Sequence, residues 1–152
     1  MNRNIMQQAL TVLRGSFPEI QTANIYETPF IVEVACAAPF ELQVAVTNAD
    51  YRDLEGGVRS GNFLMSIGIL QSFKLDSVTR YANYLADANK SIWVIRDQID
   101  TLLDGSFLPV DGTNLLTRPL RLVEESCRMG ARITGTLIKE MKFLGGLNAL
   151  RL

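Results

Sequence analysis

Apolar residues near the N-terminus recur at steps of three and four positions, which is the period of an amphipathic helix. They are Met6, Ala9, Leu10 and Leu13. We expect this helix to end near Gly15, because glycine commonly follows the last helical turn. Ala23–Glu27 is a candidate short strand. The apolar run Ile31–Ala38 fits either a strand or a short helix closed by Pro39, which disfavours helical geometry in the preceding residue.

Strict alternation of apolar and polar side chains predicts a half-buried strand from residue 40 to residue 47. Its apolar positions are Phe40, Leu42, Val44 and Val46. A second alternating segment runs from Phe63 to Gln71. The intervening residues are polar and include three glycines. We therefore expect an extended β-hairpin whose two strands are joined by a long charged loop, Asp50 to Arg59.

A long helical pattern follows the hairpin. Asp76 is a good N-cap, and apolar residues then recur at three- and four-residue steps from Val78 to Leu103. We expect the helix to end at Asp104-Gly105, where glycine can adopt the left-handed conformation. The apolar stripe is long enough to cover one face of a sheet.

The C-terminal third predicts two more strands, Leu120–Glu125 and Ala131–Phe143. Residues 144–152 are apolar and contain a Gly145-Gly146 pair that we interpret as a hinge. The order of elements predicts an α+β fold. We expect a mostly antiparallel sheet with a short N-terminal helix and one long central helix packed on one face. Residues 1–143 would form a single domain, and residues 144–152 an apolar C-terminal tail.

The amino-acid composition limits the kinds of catalytic and metal-binding site that the chain can form. The 152 residues include no histidine, although 47% are hydrophobic and the formal net charge is only −1. The absence of histidine removes the commonest general acid–base group and the commonest metal ligand. Cys36 and Cys127 form no CxxC motif, which favours buried thiols over redox or metal chemistry. We therefore expect no enzyme activity, no metal and no cofactor. Because acidic and basic residues are nearly balanced, we also expect no broad positive surface that would bind DNA or anionic lipid.

The acidic pairs and the glycines do not suggest a reaction centre. Asp97 and Asp100 fall on the helix face opposite the apolar stripe, where solvation is the simpler interpretation. Glu124 and Glu125 are adjacent in a predicted strand and would point to opposite sides. The glycines at 56, 57 and 61 match no phosphate-binding pattern.

Three features are candidates for partner contacts. The first is the charged loop, since long loops of this kind are usually functional or disordered; its contact residues would be Arg52, Asp53, Glu55 and Arg59. The second is a group of arginines, either solvated or facing an acidic partner: Arg118, Arg121, Arg128 and Arg132. The third is the apolar tail, including Leu147 and Leu150, which would dock on its own domain or reach a neighbour.

One family resemblance rests on the segment Pro39–Tyr51, PFELQVAVTNADY, in which a proline-led apolar strand runs into a turn of a small residue, an acid and a tyrosine. With the opening helix, the second strand, the helix ending in Leu102-Leu103-Asp104-Gly105 and the closing strand pair, the chain resembles the tail terminator (tail completion) proteins of long-tailed bacteriophages.

The resemblance implies a structural virion protein, assembled in the host cytoplasm and located in the tail near the neck. Such proteins form a hexameric ring that caps the tail tube, ends its polymerisation and joins the tail to the head-side connector. The implied partners are other copies of the chain, the tail tube protein and a neck or connector protein. DNA would pass the channel without specific binding, and no membrane is involved. The charged loop would contact the tube or a neighbouring subunit.

Two other readings of the sequence stay open. The chain could be another ring-forming neck, tube or baseplate component, since these also use α+β domains with exposed strand edges. Alternatively, it could be a small-ligand binding module with a pocket between helix and sheet. The residues lining that pocket would be Phe63, Tyr81, Tyr84 and Trp93.

Overall fold

The computed structural model describes residues 2–34, 40–72, 92–130 and 136–150. The helices and strands, in chain order, are α1 (Asn2–Ser16), β1 (Ile25–Glu27), β2 (Phe40–Leu54), β3 (Val58–Ser72), α2 (Ile92–Leu103), β4 (Pro109–Val110), β5 (Thr113–Asn114), β6 (Arg118–Met129) and β7 (Thr136–Leu150). Strands β1, β2, β3, β7 and β6, in that spatial order, form a five-stranded sheet. The predicted α+β class is confirmed.

The main sheet is mostly antiparallel, as expected. Strand β1 runs parallel to β2, whereas β2 with β3, β3 with β7 and β7 with β6 are all antiparallel pairs. Strands β4 and β5 form a separate two-residue ribbon. The sheet therefore has two edges, one formed by the three residues of β1 and the other by the twelve residues of β6.

Both described helices bury an apolar stripe against the sheet. Helix α1 contacts β1 and β2 through a buried face that includes Ile5, Ala9 and Leu13. Helix α2 contacts β3 and β6, and its buried residues are Ile92, Ile95, Ile99 and Leu103. Helix α2 ends where the sequence predicted, since Gly105 has a φ of +83°. The expected start at Asp76 lies outside the described residues.

The predicted long loop between the hairpin strands is wrong. Strand β2 continues to Leu54 and β3 begins at Val58, so only the three residues Glu55–Gly57 connect them. Gly56 and Gly57 both have a φ of +75°. A residue with a side chain would be strained in this left-handed conformation, whereas glycine adopts it readily. The sequence pattern failed here because residues 51–57 are exposed, and a strand with no buried face shows no apolar alternation.

The predicted hinge at Gly145-Gly146 is also wrong, and residues 144–150 are the second half of β7 rather than a tail. Gly145 pairs with Phe63 and Gly146 pairs with Asn62. A Cβ atom on Gly145 would lie 2.8 Å from the Phe63 ring, and one on Gly146 would overlap the guanidinium of Arg118. Strand β7 is therefore continuous through the two glycines, and the side chains of Phe63 and Arg118 occupy the space that side chains at these positions would fill.

At one end of the sheet, residues 28–34 cover the face opposite the helices. Buried Gln43 accepts a hydrogen bond from the Val32 N–H at 2.9 Å and donates one to the Val32 carbonyl at 3.0 Å. Ile31 packs so closely over Gly68 that an added Cβ would lie 2.8 Å from it. Residues 31–34 are neither strand nor helix, contrary to both expectations, and residues 35–38 lie outside the described part of the chain.

Candidate interaction surfaces

The end of the β2–β3 hairpin is an exposed part of the sheet. We call residues 51–59 the hairpin tip. Nearly all of its side chains are exposed, including Tyr51 at 47% and Leu54 at 40%. Strand β1 pairs only with Leu42–Val44, and the β6 pairing with β7 begins at Gly146, so neither outer strand reaches the tip. The sequence therefore builds a three-stranded projection from β2, β3 and the end of β7.

The tip combines charge with apolar surface. Arg59 and Asp53 are directly opposite each other in the strand pairing, and Arg59 Nε donates to Asp53 Oδ1 at 3.1 Å. The Arg59 guanidinium also lies 5.8 Å from the centre of the Tyr51 ring, within the range of a cation–π contact. By strand alternation, Arg52 and Leu54 lie on the opposite face. Exposed aromatic and arginine side chains are typical of protein interfaces.

The four predicted contact residues of the charged loop, Arg52, Asp53, Glu55 and Arg59, are thus together and exposed at the tip. Whether they bind a partner stays a prediction. The leucines of the expected tail are placed differently. Leu147 is half-buried, packs against the core and pairs with Gly61, while Leu150 pairs with Val58 at the end of β7. Leu147 therefore docks on its own sheet.

Arg118 lies at the start of β6 and reaches across β7 to β3. Its Nη2 donates to the Gly61 carbonyl at 2.8 Å and to Asn62 Oδ1 at 3.0 Å, and its Nη1 donates to Asn148 Oδ1 at 3.0 Å. The path is open because Gly146, the residue between β6 and β3 at this level, has no side chain. Arg118 therefore fastens three strands together where the projection begins.

The other predicted arginines do not gather around Arg118. Arg128 is ten positions further along the same strand, roughly 30 Å away, and donates to Glu33 Oε1 at 2.9 Å. Arg121 is exposed and pairs with Leu144 in the strand register. Arg132 lies outside the described residues. The three described members of this arginine group are spread along β6, and a role for Arg121 or Arg128 in partner binding stays a prediction.

Arg96 on α2 holds a network that the sequence analysis missed. Its Nε donates to Glu125 Oε1 on β6 at 2.5 Å, and its Nη1 donates to Asp97 at 2.9 Å and Asp100 at 3.1 Å. The hydrogen bond with Glu125 is the largest of the effects that raise the pKa of Arg96 above its ordinary value. The i,i+4 spacing of Arg96 and Asp100 was the available signal. The hydrogen bond between Arg96 and Glu125 ties α2 to β6.

Cys127 is exposed on β6, so the expectation of a buried thiol is wrong for this residue, while Cys36 lies outside the described residues. Partial burial raises the pKa of the Cys127 thiol, and the positive charge of Lys139 opposes that rise. Lys139 pairs with Cys127 across the strands, and its Nζ lies 4.9 Å from the centre of the Trp93 ring.

The described residues do not assemble the ligand pocket that the sequence suggested. Phe63 is part of the core, Trp93 is 39% exposed above Lys139, and Tyr81 and Tyr84 lie outside the described residues. Within residues 2–34, 40–72, 92–130 and 136–150, no group of three side chains could hold a metal ion. Neither described helix is both long and apolar enough to span a membrane.

No family model and no curated protein matches the sequence. In three dimensions, the chain is similar to a chain in the structure of the virion of a native gene transfer agent particle. The TM-score is 0.54 at 13% sequence identity, and the match covers 91% of this chain and 85% of that chain. This likeness shows the fold alone. It covers nearly the whole chain, and therefore the arrangement of helices and strands rather than one local motif.

Proposed function

We propose that this protein is a structural component of a phage-like virion, and that it is a tail terminator. The observation that carries the virion role is the likeness to a chain of a gene transfer agent virion over 91% of this sequence. The finer role is supported by the sequence resemblance to tail terminators and by the projecting hairpin tip. In this role the protein forms a hexameric ring, caps the tail tube and joins the tail to the head-side connector.

The hairpin tip is the proposed contact with the tube or with the neighbouring subunit. It presents Tyr51 to solvent on one face, beside the ion pair of Asp53 and Arg59, and Leu54 on the other face. Exposed apolar side chains with a polar rim are typical of binding surfaces. A chain with a net charge of −1 is also compatible with a channel that DNA passes without being held.

The test combines Tyr51→Ser and Leu54→Ser in a phage that carries the protein, with tail length measured by electron microscopy. Val110→Ser is the matched control, because Val110 is a similarly exposed apolar residue, at 37%, on the separate β4–β5 ribbon. We expect overlong tails without heads for the tip variant and normal particles for the control. Normal tails joined to heads in the tip variant would show that the tip is not the contact.

A separate measurement tests the terminator role itself. Removing the whole protein should produce overlong tails, and native mass measurement should give six chains of 16.9 kDa. Particles that keep tails of normal length without the protein would contradict the terminator role.

The second candidate is another ring-forming neck, tube or baseplate component of a virion. It is favoured by the same structural likeness, since the similar chain belongs to a whole particle. Negative staining of the purified protein separates the two candidates. A terminator gives discrete rings, whereas a tube subunit stacks into filaments.

A further inference from the structure

Strand β6 forms a long edge of the sheet, and the described residues cover only its first half. The Gly105 N–H donates to the Leu120 carbonyl at 2.7 Å, and the Leu120 N–H donates to the Ser106 carbonyl at 2.8 Å. The Leu122 N–H donates to Asp104 Oδ1 at 2.9 Å. Side chains 123–128 are exposed, including Val123 at 54%. No comparable backbone cover reaches this second half from the part of the chain that the structure describes.

A hydrogen bond at the end of β6 shows which backbone groups of its second half point away from the sheet. The Gly130 N–H donates to the Thr136 carbonyl at 2.9 Å, so the backbone polar groups of Gly130 face β7. Backbone direction alternates along an antiparallel strand. The N–H and C=O groups of Glu125, Cys127 and Met129 therefore point away from the sheet. A row of this kind is a template for another strand.

We propose that the second half of β6 pairs with the same segment of a second copy of this chain. The pairing is antiparallel about a two-fold axis at Ser126. It depends on β6 alone and makes no use of the hairpin tip. Neighbours in a six-fold ring meet through two different surfaces, so this two-fold pairing would join chains that are not neighbours in one ring. The two sheets would join edge to edge across this axis.

Charge complementarity selects this register. With the axis at Ser126, Glu124 lies opposite Arg128 of the second copy, and symmetry repeats this pair. Both side chains are exposed, Glu124 at 62% and Arg128 at 44%, and each also has a partner in its own chain: Glu124 Oε2 lies 3.7 Å from Lys142 Nζ, and Arg128 Nη1 lies 2.9 Å from Glu33 Oε1. The outward-facing backbone of Glu125 meets that of Cys127 in the second copy, which allows the hydrogen bonds to form.

The neighbouring registers lack this match. An axis at Glu125 would place that carboxylate opposite its own copy, and like charges directly opposite each other are destabilising. An axis at Cys127 would place Arg128 opposite Ser126 and leave Glu124 facing Gly130, so no ion pair would form. Registers that bring odd-numbered residues opposite even-numbered ones do not align the outward-facing backbone groups.

Disulfide cross-linking tests the axis directly. Ser126→Cys is made in a chain that also carries Cys36→Ser and Cys127→Ser. Residues 126 of the two copies would form a non-hydrogen-bonded pair with Cα atoms about 4.5 Å apart, which a disulfide can span. Arg121→Cys in the same background is the matched control, because its two copies would be roughly 33 Å apart. We expect an oxidised dimer for Ser126→Cys and none for Arg121→Cys. Equal cross-linking at both positions, or none at Ser126→Cys, would overturn the pairing.

Charge reversal tests the register. In the Ser126→Cys chain, Glu124→Arg places arginine opposite Arg128 and should greatly slow cross-linking, with partial recovery at high salt as the repulsion is screened. Glu19→Arg makes the same charge change at an exposed position outside β6 and should leave the rate unchanged. Thermal melts of both variants check that the fold is retained. An unchanged cross-linking rate in a folded Glu124→Arg variant would overturn the proposed register.

Discussion

The two ends of the β2–β3 hairpin differ in burial, although the same two strands form both. At the covered end, Ile67 and Ile69 are fully buried beneath the helices, and Gln43 is fully buried on the opposite face under residues 28–34. At the hairpin tip, nearly every side chain is exposed. The comparison teaches that stability and surface chemistry are separated along the length of one hairpin. Substitutions at the tip can therefore change the chemistry of the surface without unfolding the protein.

The largest expected difference between the two ends comes from truncating a buried side chain. Ile67→Ala should lower the free energy of unfolding by about 2–5 kcal/mol, because it removes buried methyl groups and leaves a cavity. Leu54→Ala at the tip should change it by less than about 0.5 kcal/mol. Urea unfolding measures both. Similar losses at the two positions would show that the tip is packed rather than presented to solvent.

A second substitution tests the boundary between the two ends. Gly145→Ala should lower the free energy of unfolding by about 1–3 kcal/mol, since the new Cβ would lie 2.8 Å from Phe63 Cζ and 2.9 Å from Leu120 Cδ2. Gly15→Ala is the control. Gly15 lies in α1 with open space around it, so alanine should stabilise the helix by about 0.5–1 kcal/mol. A hinge at Gly145 would instead tolerate alanine, and unfolding by denaturant distinguishes the two outcomes.

Arg118 fastens the base of the projection, and its loss should have an intermediate effect. Arg118→Met removes three side-chain hydrogen bonds and should lower the free energy of unfolding by about 1–2 kcal/mol. Hydrogen exchange should also increase in β7 near Asn148. Arg121→Met, on the same strand but exposed, should stay within about 0.5 kcal/mol of the unmodified protein. Equal effects would contradict the strand-crossing role of Arg118.

The smallest effect is expected within the tip. Asp53 and Arg59 are 51% and 45% exposed, so their coupling in a double-mutant cycle of Asp53→Asn and Arg59→Gln should be about 0.2–1 kcal/mol. Added salt should weaken the coupling. A coupling of several kcal/mol, independent of salt, would mean that the pair is shielded from water.

Periodicity predicted the elements that bury one face. The alternation from Phe40 to Val46 became β2, and the helical stripe ending at Leu103 became α2, with the predicted stop at Gly105. These predictions succeeded because burial imposes a spacing on the sequence that depends only on the local geometry of the chain. The α+β class followed from the order of these elements.

The predictions that were wrong concern features that depend on residues far away in the sequence. Gly145 and Gly146 looked like a hinge because the sequence does not show that Phe63 and Arg118 occupy the space beside them. The tip looked like a loop because its strands have no buried face. The candidate residues at the tip were found from charge alone, whereas the inward role of Arg118 depends on a contact with Gly61, 57 positions away in the sequence.

The filled glycine pair has a mechanical consequence. Strands β2, β3 and β7 are each 15 residues long, which corresponds to roughly 50 Å of continuous chain. With side chains lodged against Gly145 on one face and Gly146 on the other, β7 cannot slip by one position without colliding with them. The alignment of β7 with β3 is therefore locked at the base of the projection, which keeps Leu150 level with Val58 at the far end.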